Sequence, residues 1–257
     1  MLYFLHVYQL TTLPHNDKLY LVVLPPNKEM EYTVSLTEEI IRKIKYQILS
    51  GEYLPGDHLP TLREMADIFN VSRSVINAAV VELETDGYIK IVPTKWIEVA
   101  DWEEEGNLSI LTDLIDFGII KHNQLESLLQ SRMFFELECV RLACENATSE
   151  NIAKLKALII EESVEKRPEK RAKYDIRFHT LIAKMSGNFI YAMLIHSFSE
   201  SSYKLIEKFY DDENVLRFVS EKHEGICTAI EEKNVNKAVT EMQSLLEHGE
   251  RIIITKI

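Results

Sequence analysis

Three cysteines in 257 residues, Cys139, Cys144 and Cys227, are an odd number without metal-type spacing, and a chain of this length and apolar content needs no disulfide staples. The three are expected as buried, reduced thiols. Long apolar runs are missing too: the opening MLYFLHVYQL and the run LYLVVL at 19–24 fall short of the roughly 20 residues a membrane helix needs. The opening also lacks the basic region and small-residue cleavage site of a secretory leader, so a cytoplasmic protein without a membrane partner is expected. Positive charge is scarce, with 29 Lys+Arg against 41 Asp+Glu and a net charge of −12. Indiscriminate binding to nucleic acid is thereby disfavoured, and any DNA contact has to rest on a local arrangement.

What is present divides the chain. Residues 1–32 read as an N-terminal extension in which two apolar runs around PHNDK suggest a loosely attached β-hairpin, with a break at Pro25, Pro26 and Asn27 and an alternative start at Met30. From Ser35, LTEEIIRKIKYQILSG has a capping-box pair, Ser35 and Glu38, and a terminating Gly51. Next comes TLREMADIFNVSRSVINAAVVELETDG, the stretch around which the first half is organised. Leu62, Met65, Ala66 and Phe69 recur at helical spacing, Asn70 and Val71 make a turn, and Ser72 is expected to N-cap a helix ending at Gly87. Val75, Ile76, Ala79, Val80 and Leu83 line one face of that helix. Arg73, Ser74 and Asn77 project from its first turn, where a recognition helix meets base edges and phosphates, although a plain helical hairpin has the same spacing. YIKIVPTKWIEV then reads as two strands around Pro93, Thr94 and Lys95, a wing whose tip offers a hydroxyl and a cation to phosphate. Helix, helix, helix, wing gives a winged helix-turn-helix over 33–100.

The run ILSGEYLPGDHLPTLREMADIFNVSRSVINAAVVELETDGYI resembles the winged helix of the GntR transcription regulators. The resemblance implies a double-stranded DNA operator as partner and Arg63, Arg73 and Lys95 as DNA contacts. Two positions depart from the pattern: Asn77 replaces a usual arginine, and Pro93-Thr94 stands where a glycine-containing tip is expected. Residues 33–100 hold 7 Lys+Arg and 10 Asp+Glu, net −3, so few phosphate contacts and strong salt sensitivity are expected.

ADWEEEGN is acidic and turn-like, which makes 101–107 the expected linker. Beyond it, strand signals almost vanish. Helices are expected over 108–117, 121–146, 149–164, 170–187, 189–212, 214–232 and 234–254. The fold class is therefore mostly α, with the winged helix followed by an all-α bundle at 108–257. Asp175 and His179 lie four apart and stack on one helix face, where they can share an ion or simply pair with each other; His223, on a later helix, is a third candidate ligand. Arg132 sits one turn before Glu136 and either clamps a ligand carboxylate or pairs with that glutamate. Ile190, Tyr191, Leu194, Tyr203 and Phe209 line a wide apolar cavity or belong to the core.

The segments SRMFFELECVRLA, DIRFHTLIAKMSGN and EKHEGICTAIEEKNVNKAV resemble the all-helical FCD-type ligand-binding domain of the FadR branch of that family. The resemblance implies Arg132 as a contact to an effector carboxylate, Asn188 beside the site or holding its shape, and Asp175, His179 and His223 as ligands of a divalent metal such as zinc, nickel or manganese. Leu245 occupies the place of a further histidine, with His248 one turn on as a substitute candidate. The branch also includes a metal-free acyl-CoA binder. The expected function is a homodimeric, effector-responsive transcription regulator, commonly a repressor, controlled by a small carboxylate with metal or by an acyl-CoA, rather than an enzyme. The alternatives are a metal-dependent enzyme and a helical interaction module with a degenerate winged helix.

Overall fold

The computed structural model describes residues 8–11, 20–23, 35–210 and 213–256. The expected break at 25–27 and the start at Met30 lie outside the described residues. Strands β1 (Tyr8–Thr11) and β2 (Tyr20–Val23) pair antiparallel, Tyr8 opposite Val23.

Helix α1 (Leu36–Leu49) begins at a complete capping box, in which Glu38 Oε2 accepts the Ser35 N–H at 2.7 Å and Ser35 Oγ accepts that of Glu38 at 3.2 Å. Two orphan N–H groups at the helix end are thereby satisfied. The same device, Thr61 with Glu64, starts α2 (Leu62–Phe69) after the short strand β3 (His58–Leu59). Asn70 closes α2 in the left-handed region at φ 52°, which Asn tolerates better than most residues. Helix α3 (Arg73–Thr85) follows, burying Ile76, Ala79, Val80 and Leu83 against α1. Ser72 occupies the N-cap position, yet its side chain does not cap: its hydroxyl pairs with that of Ser74 at 2.7 Å. That local hydroxyl partner competes with the helix N–H groups. Strands β4 (Ile89–Val92) and β5 (Trp96–Val99) form the wing, and β3 joins β5 in a three-stranded antiparallel sheet of order β3-β5-β4.

The expected linker contains a short helix, α4 (Trp102–Glu105), where only a turn was expected. Its three consecutive glutamates lie in the first turn, where carboxylates complement exposed N–H groups. Helix α5 (Ser109–Asp116) has a foot in each core: Ile110 and Leu114 join the winged-helix cluster, whereas Ile115 joins that of the bundle.

The bundle consists of α6 (His122–Asn146), α7 (Ser149–Val164), α8 (Pro168–Met185), α9 (Phe189–Phe209), α10 (Glu213–Glu231) and α11 (Val235–Lys256). Helix α8 starts two residues earlier than expected because Pro168 occupies its first turn, where a missing N–H costs nothing. It packs on α6, α7 and α9, while α11 packs on α6 and α10. Val140, Ala143, Leu155, Phe178 and Ile182 are all within 1% of full burial. Among the described residues, no helix is long and apolar enough to cross a membrane.

Candidate functional site

Two sets of side chains carry chemistry. The first is on the winged helix. Arg63 on α2, Ser72, Arg73, Ser74 and Asn77 at the head of α3, and Thr94 and Lys95 at the wing tip are all exposed. The apolar stripe of α3 turns inward, so these polar groups face solvent by default. Thr94 holds φ 62°, the left-handed conformation a glycine would adopt without strain. Lys95 Nζ lies 5.3 Å from the Trp96 ring centroid, and Trp96 stacks on His58 at 4.7 Å.

The second set is buried in the bundle. Helix α8 supplies Asp175 and His179 one turn apart, and α10 supplies His223; the exposures of these residues are 5%, 2% and 0%. One ligand-type atom from each lies within 4.8 Å of the others. Both imidazole Nε2 atoms stand 3.8 Å from Asp175 Oδ1. Their opposite nitrogens are held by carboxylates: His179 Nδ1 by Glu136 on α6, and His223 Nδ1 by Glu162 on α7 at 2.7 Å. This backing fixes the rings and leaves the Nε2 lone pairs turned toward the cluster. His223 Nε2 is buried without a hydrogen-bond partner. A buried orphan acceptor facing a carboxylate and a second imidazole is what a divalent cation satisfies, so the residues present fit such an ion.

Neighbouring groups tune the cluster. The Tyr210 hydroxyl donates to Asp175 Oδ1 at 2.7 Å, and burial together with the Asp175 charge pushes its own pKa well up, so it remains a donor. Burial pushes the Glu136 carboxyl up, but His179 and Arg132 outweigh it and hold the group at about 2, ionised. Arg132 Nε donates to Glu136 at 2.5 Å, and its Nη2 lies 4.0 Å from Asp175 Oδ2. Of its two expected roles, Arg132 fills the pairing one, while also lining a cavity of about 30 Å³ beside Asp175 and His179. Behind Glu162, the buried Arg171 donates to the Glu162 carbonyl at 2.6 Å and to Ser220 Oγ at 3.0 Å.

Other expected residues lie elsewhere. Leu245 lines the cavity, but His248 does not reach it: its ring packs 4.1 Å from Phe218 beside a separate pocket. Three residues along a helix fall about 60° short of a full turn, which carries position 248 off the face of position 245. Asn188 caps α9, its Oδ1 accepting from the N–H groups of Ile190 and Tyr191 at 3.0 and 3.4 Å, and does not line the cavity. Of the five apolar residues considered for a wide cavity, Phe209 alone lines this small one, and Ile190 is 46% exposed. Glu162, Arg171 and Tyr210 went unassigned in the sequence, and Glu136 was named there only as a partner for Arg132. Three of them had a signal: Glu136, Glu162 and Arg171 fall in register with apolar faces, as in Leu155, Leu158, Ile159 and Glu162.

A winged helix joined to a helical bundle with a buried Asp-His-His cluster defines a two-domain regulator architecture. Residues 36–99 match the model of the bacterial regulatory proteins, gntR family, and residues 127–248 match that of the FCD domain. The chain is 28% identical to the HTH-type transcriptional repressor NanR of Klebsiella aerogenes over 217 residues, covering 82% of this chain and 83% of that protein. It is 27% identical to the Exu regulon transcriptional regulator of Escherichia coli K12 over 218 residues, 83% and 82% of the two chains. The solved structure of Lar from Listeria monocytogenes shares the fold at TM-score 0.63 and 16% identity, over 87% of this chain and 98% of that one. The chain belongs to the GntR family of bacterial regulatory proteins and carries an FCD domain; it is a ligand-responsive, DNA-binding transcription regulator.

Proposed function

We propose that the chain acts in the cytoplasm as a homodimeric repressor of a palindromic operator, controlled by a small carboxylate effector bound beside a divalent metal, and that it catalyses no reaction. The observation that carries the reading is the exposed head of α3, with Arg73, Ser74 and Asn77 outward over a fully buried apolar stripe. In a symmetric dimer two such helices would enter successive major grooves about one helical turn apart. Arg63, Ser72, Thr94 and Lys95 would contact the flanking backbone.

Asp175, His179 and His223 would hold the metal, which supplies a Lewis-acidic anchor for an effector oxygen. The second edge of Arg132 is the candidate partner for the effector carboxylate, and Asn188 would act by fixing the start of α9. The cavity of about 30 Å³ is far too small for an acyl-CoA.

Operator sequences selected in vitro with the full chain provide the test. Arg73→Ala is expected to weaken binding by about 1–3 kcal/mol, with an unchanged circular dichroism spectrum. Unaltered affinity would remove α3 from the interface. Native mass spectrometry of untagged protein is expected to show a dimer carrying one metal ion per chain, and a metal-free monomer would overturn both assignments.

A further inference from the structure

A larger cavity of about 770 Å³ opens where the winged helix meets the bundle. Its lining shares no residue with the space beside Asp175. The volume falls within the usual span of small-molecule sites, which favour such junctions. Trp102, Leu111 and Phe198 supply apolar surface, while Gln124, Ser127 and Ser131 form a row along one face of α6. Among the described lining residues Glu103 alone is charged. A carboxylate or phosphate would face Glu103 and meet no cation among the described lining residues, whereas an uncharged molecule with hydroxyl or amide groups along one edge matches both walls.

Helix α5 borders the cavity and is fastened to the DNA-binding half. Its Ile110 and Leu114 line the cavity and are packed in the winged-helix core. Between them, Asp113 Oδ2 accepts from Lys45 Nζ at 3.1 Å and from the Tyr88 hydroxyl at 2.7 Å. Lys45 Nζ also donates, at 2.7 Å, to Asp86, the C-cap of the recognition helix. Asn107 Nδ2 adds a hydrogen bond to the Asp86 carbonyl at 3.2 Å. Displacement of α5 therefore reaches the C-terminal end of α3 through Lys45.

We propose that this junction cavity is a second ligand site, taking an uncharged amphipathic small molecule, and that its occupancy passes to the recognition helix through Asp113 and Lys45. The proposal rests on the operator-binding reading above.

The test uses full-length Ser131→Cys, with Gln130→Cys on the exposed side of α6 as control. Each is treated with neutral N-benzylmaleimide or with a carboxylate-bearing maleimide. The three native thiols are buried, and burial pushes Cys139 up to about 12 and Cys227 to about 11, so the new thiol reacts first. The neutral-over-anionic rate ratio is expected to be greater for S131C than for Q130C. Benzyl labelling of S131C is expected to shift operator affinity by about tenfold, and Asp113→Asn to suppress most of that shift. Equal rate ratios would overturn the ligand class. A labelled protein with unchanged affinity would overturn the coupling. Labelling that speeds up on dilution to the monomer would assign the cavity to a second copy of the chain and overturn the small molecule. If unlabelled protein binds no DNA, the operator reading fails, while the rate ratios still decide the ligand class.

Discussion

Glu162 is 1% exposed and holds His223 Nδ1 through Oε2, while its Oε1 has no hydrogen-bond partner. Its role is to fix the ring whose other nitrogen faces Asp175, so Glu162→Gln is expected to lower zinc affinity by about 10–100-fold in a chelator competition. An unchanged affinity would show that the carboxylate does not back a ligand. Leu245 lines the same cavity at 4% exposure. Leu245→His is expected to add a third nitrogen, and so a fourth ligand, and to tighten zinc by at least about tenfold, roughly 1.4 kcal/mol; no gain would show that position 245 stands out of reach. The cysteines make a separate prediction. With the Cys139 thiol pushed to about 12 and Cys227 to about 11 by burial, the thiolate forms are negligible at pH 8. Ellman's reagent is expected to leave the native protein unmodified and to titrate all three thiols after unfolding in guanidinium; fast reaction of the native chain would contradict the burial.

Among the elements, α5 and the wing store the most testable energy. Lys45, its side chain 12% exposed, pairs with Asp86 and with Asp113, whose side chains are 28% and 24% exposed. Burial lowers the lysine pKa, but the two carboxylates more than offset this, so the net direction is up. Removing one carboxylate leaves a half-buried cation and the Tyr88 hydroxyl short of a partner. Asp113→Ala is therefore expected to destabilise the winged-helix half by about 1–3 kcal/mol in urea unfolding. At the wing tip, a β-branched residue sits at φ 62°, and Thr94→Gly is expected to relieve strain of about 1–2 kcal/mol. A fall in the melting temperature of that variant would mean that the threonine side chain contributes more than its strain costs. Much at this scale was legible in advance. The capping pair Ser35 and Glu38, the turn after Phe69 and the strands of the wing are encoded by neighbours a few residues apart. Helix α4 was not legible, since a run of glutamates reads equally as a solvated turn or as the first turn of a helix.

For the whole molecule, charge sets the behaviour toward DNA. The winged-helix residues 33–100 hold 7 Lys+Arg against 10 Asp+Glu, so the general field opposes DNA and the local groups at α3 and the wing have to overcome it. Affinity is accordingly expected to fall steeply with salt. If the Arg73 guanidinium neutralises one phosphate, Arg73→Ala is expected to make the slope of log K against log salt shallower by about 1. A slope that stays constant would place Arg73 on bases rather than on phosphate. Helix α5 is buried partly in each core, so coupling between effector and operator is expected to run through the junction. Stiffening or loosening that helix is expected to change the response of DNA affinity to ligand more than DNA affinity itself.

The sequence by itself determined the order of the longer helices and of the wing strands, the winged helix with its outward Arg73, Ser74 and Asn77, and the placing of Asp175 and His179 one turn apart. Each of these depends on periodicity, capping or spacing within a single helix or hairpin. Only the tertiary structure decided that His223 reaches that pair from α10, that Glu136 and Glu162 back the two imidazoles from α6 and α7, and that His248 faces Phe218 instead. It also decided that α5 is fastened to the recognition helix through Lys45. The physical reason is the same throughout: contacts between residues 30 to 68 positions apart follow from how helix faces pack and rotate against one another, and a residue's own neighbours in sequence do not specify that rotation.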